Sequence, residues 1–214
     1  MAGPVLEAKN LVRGQFYGYT NEKGVAPNST VETFAALRLE IKSWRWDGVP
    51  IYIRAGKNLK TTCTEVIARL RKPPTTNITE PNTPQNHMRF RISPEMTIAL
   101  AVTTARPDMT GPRQLVELEA SRHSRPGEVE AYERALTDAM AGDATLFARQ
   151  DYVEEAWRIV DPVLKADTPL YHYTPQTWGP AEVQGGVVPP GGWFDPLPED
   201  HEDFHVIEQA ISAT

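Results

Sequence analysis

The segment of this chain that looks most like a binding site spans residues 50–60 and reads PIYIRAGKNLK. A predicted strand ends at Arg54, the chain turns at Gly56, and Lys57 follows the turn. Glycine lets the backbone approach a ligand closely, and a lysine on such a turn is a positive charge suited to an anionic or hydroxylated molecule. A strand-end turn with a solvated lysine has the same pattern, so the residue types alone leave both interpretations open.

A second candidate is the sequence HEDFH at positions 201–205, which matches the H-E-x-x-H pattern of zinc peptidases. A catalytic zinc ion needs a third protein ligand, and only nine residues follow His205. The extended form of the pattern requires a histidine at position 211, which is Ile211. The segment also belongs to a terminal tail, so we expect an acidic helix end there and no metal site.

Other catalytic signatures are missing from the sequence. It contains no G-x-G-x-x-G turn, no G-x-x-x-x-G-K-[ST] phosphate loop and no G-x-S-x-G elbow. Its single cysteine, Cys63, excludes a disulfide framework and any zinc module built on several cysteines. We expect Cys63 to be a small, partly buried side chain, because no histidine lies near it in the sequence to activate it.

Composition narrows the class of protein and its partners. The chain has 214 residues, of which 40% are hydrophobic, which is enough for a real core. It has 22 Lys+Arg against 28 Asp+Glu, a net charge of −6, and no block of basic residues. This balance argues against nucleic acid or an anionic membrane as the main partner. With no long apolar run and no secretory signal at the start, the expected compartment is the cytoplasm.

Alternating apolar and polar residues predict six or seven strands joined by loops, and hence a mostly antiparallel sheet. Within 33–41, Ala35, Leu37, Leu39 and Ile41 share one face, opposite Arg38 and Glu40. The predicted strands include 33–41, 51–54, 65–71, 87–93, 96–104 and 114–121, and residues 73–84 are expected to form a surface loop.

The period then changes to that of a helix. Residues 128–141 and 150–164 have apolar side chains at helical spacing, and we expect these two helices to cover one face of the sheet. Beyond residue 169 the chain is rich in proline and glycine, which is typical of an extended wrap over a surface, and it ends in an acidic tail at 199–214. The predicted architecture is α+β.

Several longer strings carry a family resemblance. The first half contains LVRGQFYGY, VETFAALRLEIKSWRWDGVPIYIRAGKNL and TEVIARLRKPP, and the second half contains EAYERALTDAMAGDATLFARQDYVEEAWRIVDPVL and YTPQTWGPAE. Together, and in this order, they resemble the C-terminal domain of glucose-6-phosphate dehydrogenase over residues 11–180.

This resemblance implies a large mixed, mainly antiparallel sheet backed by helices, which mediates dimerisation and whose edge completes a glucose 6-phosphate pocket. The whole enzyme oxidises C1 of glucose 6-phosphate, passes hydride to NADP and forms 6-phosphogluconolactone, the entry step of the pentose phosphate pathway. Lys57 matches the lysine that contacts the sugar, and Arg54 and Gly56 match the strand end that shapes its loop. Gln15 and Tyr17 match a segment near the active site.

Family members begin with a dinucleotide-binding domain that carries a G-x-x-G-D-L-A turn and the catalytic histidine, and neither appears here. The five histidines of this chain match no catalytic position, so we predict no catalytic residue and expect NADP to be bound by the absent domain, with none in this chain alone. Ser93 replaces a glutamine that many members have, which weakens one expected sugar contact. Thr62 and Cys63 replace a basic pair, which argues against the additional structural NADP of animal enzymes.

The sequence therefore predicts a lead at 1–10, the family domain at 11–180, and a Pro/Gly-rich extension with an acidic tail at 181–214. The leading hypothesis is the substrate-side, dimer-forming domain of an NADP-linked enzyme, inactive alone. The alternative is a free-standing assembly or regulatory module with the same fold. Either one would expose apolar surface to a partner, and the candidates are Phe16, Tyr17, Trp44 and Trp46.

Overall fold

The computed structural model describes residues 4, 6–72, 84–104, 114–122 and 131–196. The predicted loop at 73–84 lies outside this part of the chain except for residue 84, and the acidic tail at 199–214 lies wholly outside it. The described residues form two compact units, each built on a four-stranded sheet. Within the described ranges, no helix is long and apolar enough to span a membrane.

The described ranges contain eight strands, one or two more than predicted. They are β1 (Leu11–Phe16), β2 (Phe34–Glu40), β3 (Pro50–Gly56), β4 (Thr64–Arg69), β5 (His87–Ser93), β6 (Met96–Thr104), β7 (Gln114–Arg122) and β8 (Leu170–Tyr173). The sequence pattern does not predict β8, because its four residues lie in the Pro-rich segment that reads as a surface wrap.

The first unit contains a mixed sheet with the strand order β3-β2-β1-β8. β1 pairs antiparallel to β2 and β2 antiparallel to β3, whereas β1 and β8 run parallel. The second unit contains a sheet of order β4-β5-β6-β7, in which every pairing is antiparallel. The α+β class is therefore confirmed, and the mainly antiparallel strands are divided between two sheets of four.

The buried face of β2 is not the one that the alternation at 33–41 favours. Phe34 and Ala36 are buried, whereas Ala35 and Leu37 on the opposite face are half-buried. A period of two separates the two faces of a strand but does not say which one meets the core when both carry apolar residues. Here the largest side chain, Phe34, faces the core of the first unit, together with Val12, Phe16, Tyr173, Val183 and Val187.

The described part of the first unit contains three α-helices: α1 (Ala131–Ala141), α2 (Gln150–Leu164) and α3 (Val183–Gly186). The first two confirm the predicted helices, and residues 128–130 of the first prediction lie outside the described residues. Their apolar faces do not cover the sheet as expected, because α1 has no buried residue and α2 has only Val163. The lead contacts α2, since the amide of Leu6 donates a hydrogen bond to the carbonyl of Ile159 at 3.0 Å.

The second sheet has one charged face and one apolar face. On the charged face, Arg89 donates hydrogen bonds to Glu117 and Glu119 at 2.8 and 2.7 Å. Arg89 and Glu119 are the two neighbours of Ala99 in the sheet register, one on each side. Their ion pair therefore covers Ala99, which is buried. Burial disfavours the charged form of Arg89, but the two carboxylates more than offset this and raise its pKa.

The apolar face of the second sheet consists of side chains that are exposed in this chain. Its most exposed members are Val66, Ile92, Met96, Ile98, Leu100 and Leu118. The cross-strand pairs Phe90 with Ile98 and Leu100 with Leu118 place these residues on the same side of the sheet. An exposed, contiguous apolar face of this kind marks an interaction surface.

The core of the first unit depends on two glycines that surround the Phe34 ring. A Cβ atom added at Gly56 would lie 2.9 Å from Phe34 Cδ2, and one added at Gly179 would lie 2.3 Å from Phe34 Cε2. Gly179 also has a φ of +102°, a conformation that residues with a side chain rarely adopt. The ring is therefore in contact with the backbone of β3 on one side and of the segment after β8 on the other.

We predict that Gly179→Ala destabilises the first unit by about 3 kcal/mol or more, because the new methyl group overlaps the buried Phe34 ring. The matched control is Gly18→Ala, which has a φ of +97° and nothing within 4 Å of the added Cβ. Gly18→Ala has only the backbone cost of the left-handed conformation, about 1–2 kcal/mol.

Urea unfolding followed by tryptophan fluorescence measures this difference, because all five tryptophans of the chain belong to the first unit. Equal losses of stability in the two variants would contradict the packing account of Gly179.

Candidate functional site

The carboxyl ends of β1, β3 and β8 lie at one edge of the first sheet. β8 runs parallel to β1, and β3 points the same way because both β1 and β3 are antiparallel to β2. This edge, which we call the carboxyl edge, brings together Tyr17 after β1, Lys57 after β3 and Tyr173 at the end of β8. Two of the predicted site residues, Tyr17 and Lys57, therefore lie at the same edge of one sheet although 40 positions separate them in the sequence.

Lys57 has a fixed backbone and an exposed side chain. Its amide donates a hydrogen bond to the Thr33 carbonyl at 2.8 Å, and its carbonyl accepts one from the Tyr173 hydroxyl at 2.7 Å. Among the described residues, no side chain forms a hydrogen bond or an ion pair with the Lys57 ammonium group. The cation is therefore presented to solvent from a turn that cannot easily shift.

Gly56 allows β3 to end close to the core. A side chain at this position would meet the Phe34 ring at 2.9 Å and Leu59 at 3.3 Å. The turn that carries Lys57 can therefore fold back onto the sheet only if position 56 lacks a Cβ atom. This packing is compatible with the predicted role of Gly56 in shaping the loop, which stays a prediction.

Arg54 is held in a structural contact rather than displayed beside Lys57. Its guanidinium lies between the rings of Trp178 and Trp193, 4.5 and 4.8 Å from their centroids, and forms an ion pair with Asp195 at 2.6 Å. Only 9% of the Arg54 side chain is exposed. The same residues border a cavity of about 350 Å³, together with Gly179, Pro180, Ala181, Val183, Gln184 and Gly192. These contacts fasten the Pro/Gly-rich extension to β3, and a part for Arg54 in substrate binding stays a prediction.

Gln15 is buried and binds backbone of its own chain. Its amide nitrogen donates hydrogen bonds to the carbonyls of Ser29 and Val31, both at 2.9 Å. These bonds hold the connection between β1 and β2 against the sheet. Because this amide group is used internally, the observed role of Gln15 is to position the segment that leads to Thr33, and its predicted contact with a substrate stays a prediction.

Tyr17 is accessible, with 62% of the residue exposed. Its ring stacks on that of His172, with 5.3 Å between the centroids and 20° between the planes. Of the four aromatic residues expected at an exposed surface, Tyr17, Trp44 and Trp46 are exposed, whereas Phe16 belongs to the core. Phe16 is buried because it packs on the same core side as Phe34.

Tyr173 and Thr33 are residues of the candidate site that the sequence analysis does not identify as such. The Tyr173 hydroxyl lies 3.1 Å from Thr33 Oγ1, and Thr33 Oγ1 accepts a hydrogen bond from the Phe16 amide at 3.0 Å. Burial raises the pKa of the Tyr173 hydroxyl, and its hydrogen bond with Thr33 offsets only part of this rise, so the phenol keeps its proton at neutral pH. Sequence spacing gives no signal for this contact, because Thr33 and Tyr173 are 140 positions apart.

The zinc interpretation receives no support from the described part of the chain. The HEDFH string at 201–205 lies outside the described residues. Among the residues that are described, no three of His, Cys, Asp and Glu are placed to hold a metal ion. Cys63 is half-buried, as expected for a small side chain.

Comparison with known proteins connects this arrangement to one family. The family model described as glucose-6-phosphate dehydrogenase, C-terminal domain, matches residues 4–188. Glucose-6-phosphate 1-dehydrogenase of Aggregatibacter actinomycetemcomitans is 40% identical over 197 residues, a match that covers 85% of this chain and 40% of the relative. Glucose-6-phosphate 1-dehydrogenase 1 of Mycobacterium bovis is 38% identical over 194 residues, covering 89% of this chain and 41% of the relative.

Solved structures agree with these matches. A crystal structure of glucose-6-phosphate 1-dehydrogenase from Mycobacterium avium aligns with a TM-score of 0.82 at 40% identity, over 92% of this chain and 43% of that one. A structure of glucose-6-phosphate dehydrogenase in complex with its substrate, glucose 6-phosphate, aligns with a TM-score of 0.72 at 28% identity, over 85% of this chain and 40% of that one.

The chain spans about two fifths of the length of these curated relatives, so the match concerns one part of a longer enzyme. Within that part, the match to the family model extends from the lead through both sheets and the helices to the segment after β8. The chain therefore belongs to the glucose-6-phosphate dehydrogenase C-terminal domain family.

Proposed function

We propose that this chain is the substrate-side part of an NADP-dependent glucose-6-phosphate dehydrogenase and that Lys57 binds glucose 6-phosphate. The observation that carries the proposal is the exposed ammonium group of Lys57 on a turn whose backbone is fixed on both sides. A positive charge held at the carboxyl edge suits a sugar that carries both hydroxyl groups and a phosphate. A solved relative is described in complex with its substrate, glucose 6-phosphate, and that finding concerns the relative.

The proposed reaction assigns different tasks to this chain and to a dinucleotide-binding part. Oxidation of C1 removes a hydride, which NADP accepts, and a proton from the C1 hydroxyl, which a general base accepts. In this proposal the dinucleotide-binding part supplies the base and holds NADP, and Lys57 helps to hold the sugar in place. The isolated chain is then inactive.

A bound NADP does not fit the aromatic cavity of this chain as it stands. A planar ring of the cofactor would have to stack between Trp178 and Trp193, and the guanidinium of Arg54 already fills that space. The Arg54 charge is also paired with Asp195 and so is not free for a phosphate group. These contacts support the proposal that the chain holds no NADP of its own.

We propose that the apolar face of the second sheet is the dimer interface, with a second copy of this chain as its occupant. The exposed members of that face are 37–60% accessible, while the opposite, charged face is satisfied by its own ion pairs. An apolar sheet face can meet the same face of another copy about a two-fold axis, which closes the assembly at two chains. We also propose a cytoplasmic protein with no nucleic acid or anionic membrane partner, in keeping with its net charge of −6.

A free-standing assembly module is the second candidate function, and the exposed apolar face is the observation that favours it. Such a module would dimerise through the same face and would never support turnover. The two functions therefore differ only in whether a dinucleotide-binding part makes the chain active.

The first prediction from the proposed function concerns dimerisation. Sedimentation at tens of micromolar should give a dimer for the wild type and a monomer for Leu118→Lys, because the substitution places two like charges in an apolar interface. Leu136→Lys on α1 is the matched control, since Leu136 is exposed to a similar extent but lies outside the sheet, and it should remain a dimer. A monomeric wild type, or dissociation caused by Leu136→Lys alone, would contradict this interface.

The second prediction concerns activity. The chain should reduce NADP with glucose 6-phosphate only after mixing with a dinucleotide-binding part, taken as the region of the Aggregatibacter enzyme before the matched segment. Lys57→Gln should lower kcat/KM by about 10- to 100-fold, the loss that one charged hydrogen bond represents. Lys23→Gln removes an exposed lysine from the β1–β2 connection and should change kcat/KM less than twofold.

If mixing restores no turnover while the chain still dimerises, the assembly module becomes the better account. If turnover appears and Lys57→Gln leaves it unchanged, the enzyme assignment stands but Lys57 is not a substrate ligand.

A further inference from the structure

We infer that Tyr173 is a positioning residue, whose hydroxyl holds the Lys57 turn in the orientation that binds the sugar phosphate. This inference rests on the proposed role of Lys57. Tyr173 lies 116 positions from Lys57 and comes from β8, the strand that the sequence does not predict. Its function would be to connect the end of β3 to the end of β8, so that the lysine keeps one position at the carboxyl edge.

The hydrogen bonds around Tyr173 form a chain from the Phe16 amide through Thr33 to the Lys57 carbonyl. The Phe16 amide donates to Thr33 Oγ1 at 3.0 Å, and Thr33 Oγ1 lies 3.1 Å from the Tyr173 oxygen. The single proton of the Tyr173 hydroxyl has two carbonyl acceptors, Lys57 at 2.7 Å and Thr33 at 3.3 Å, and the Lys57 carbonyl is its shortest contact. Removing the phenol oxygen breaks this chain at its last bond and leaves the Lys57 carbonyl without its partner.

The rest of the turn is fastened to the residues that follow Tyr173. The Gln176 amide donates to the Asn58 carbonyl at 2.8 Å, and Leu59 forms an isolated parallel bridge with Thr177. Asn58 has a positive φ of 50°, a conformation that asparagine tolerates better than most residues. The segment after β8 therefore supports each residue of the turn in order, and Tyr173 supports the one with the exposed cation.

The Tyr173 ring itself cannot move easily. It is 2% exposed and packs against Phe34 and Phe16, with centroid distances of 5.5 and 6.3 Å. The backbone carbonyl of Tyr173 also accepts the Tyr17 amide at 2.9 Å, which ties the turn after β1 to the same residue. A hydroxyl on a ring held this firmly is a fixed reference point, whereas a surface tyrosine would follow the turn as it moves.

The test compares amide hydrogen exchange and glucose 6-phosphate binding in Tyr173→Phe, using the whole chain. Exchange at the amides of Lys57 and Gln176 should accelerate by about tenfold, the factor that corresponds to one lost hydrogen bond, while exchange at Ala36 in the centre of the sheet changes much less. Binding of glucose 6-phosphate, measured by calorimetry, should weaken by about five- to tenfold. A purely structural loss would instead accelerate all three amides by the same factor.

Two further variants distinguish the loss of the Tyr173–Lys57 hydrogen bond from the loss of any hydroxyl group on β8 and from the loss of the Lys57 charge. Tyr171→Phe removes a hydroxyl from the same face of β8, one without a hydrogen bond to Lys57, and should change neither exchange nor binding. Lys57→Gln should weaken binding by about 10- to 100-fold and leave exchange of the turn as in the wild type, because the bonds at Lys57 involve its backbone. Unchanged or uniform exchange in Tyr173→Phe overturns the inference. A wild type that binds no glucose 6-phosphate, together with selective exchange in Tyr173→Phe, counts against the proposed function and still supports the positioning of the turn.

Discussion

The hydroxyl group of Tyr173 is the contact on which the rest of the carboxyl edge depends. Tyr173 is buried in the core, and its hydroxyl group donates its one proton in a hydrogen bond to the backbone carbonyl of Lys57 in an exposed turn. The surrounding core is arranged to allow this: Phe34 fills the space beside the ring, and Gly56 and Gly179 have no side chains because any Cβ atom there would meet Phe34. The exposed cation of Lys57 is therefore positioned by the buried side chains of Tyr173 and Phe34.

The two units differ in whether charged or apolar side chains are exposed to solvent. In the first, Arg54 is removed from solvent by two tryptophan rings and an aspartate, whereas the Lys57 side chain is exposed at the carboxyl edge. In the second, Arg89 and the glutamates that surround it cover the small residues of β6, and the exposed surface is the apolar face of the sheet. A face whose charged groups form ion pairs with one another does not need a binding partner, whereas an exposed apolar face is stabilised by one. The proposed dimer follows from this difference.

Local patterns in the sequence predict local structure well. The alternation of residues 87–93 and 96–104 reproduces β5 and β6, and residues 150–164 coincide with α2. The position of Lys57 after a strand-end glycine was also predictable, because glycine and lysine act through their own backbone and charge. Tyr173 was not predictable, because its role is defined by a carbonyl 116 positions away. The exposure of the α1 face was not predictable either, since helical periodicity identifies an apolar face without naming what covers it.

The most direct test of the central claim is to follow backbone amide chemical shifts by NMR while glucose 6-phosphate is added to the whole chain. The account predicts shifts concentrated at the carboxyl edge, at Lys57 and Asn58 after β3, Tyr17 after β1 and Gln176 after β8, with β4 to β7 unaffected. Shifts that cluster on the second sheet instead, or around the Arg54 cavity with the Lys57 turn unchanged, would contradict the claim that this edge binds the sugar phosphate.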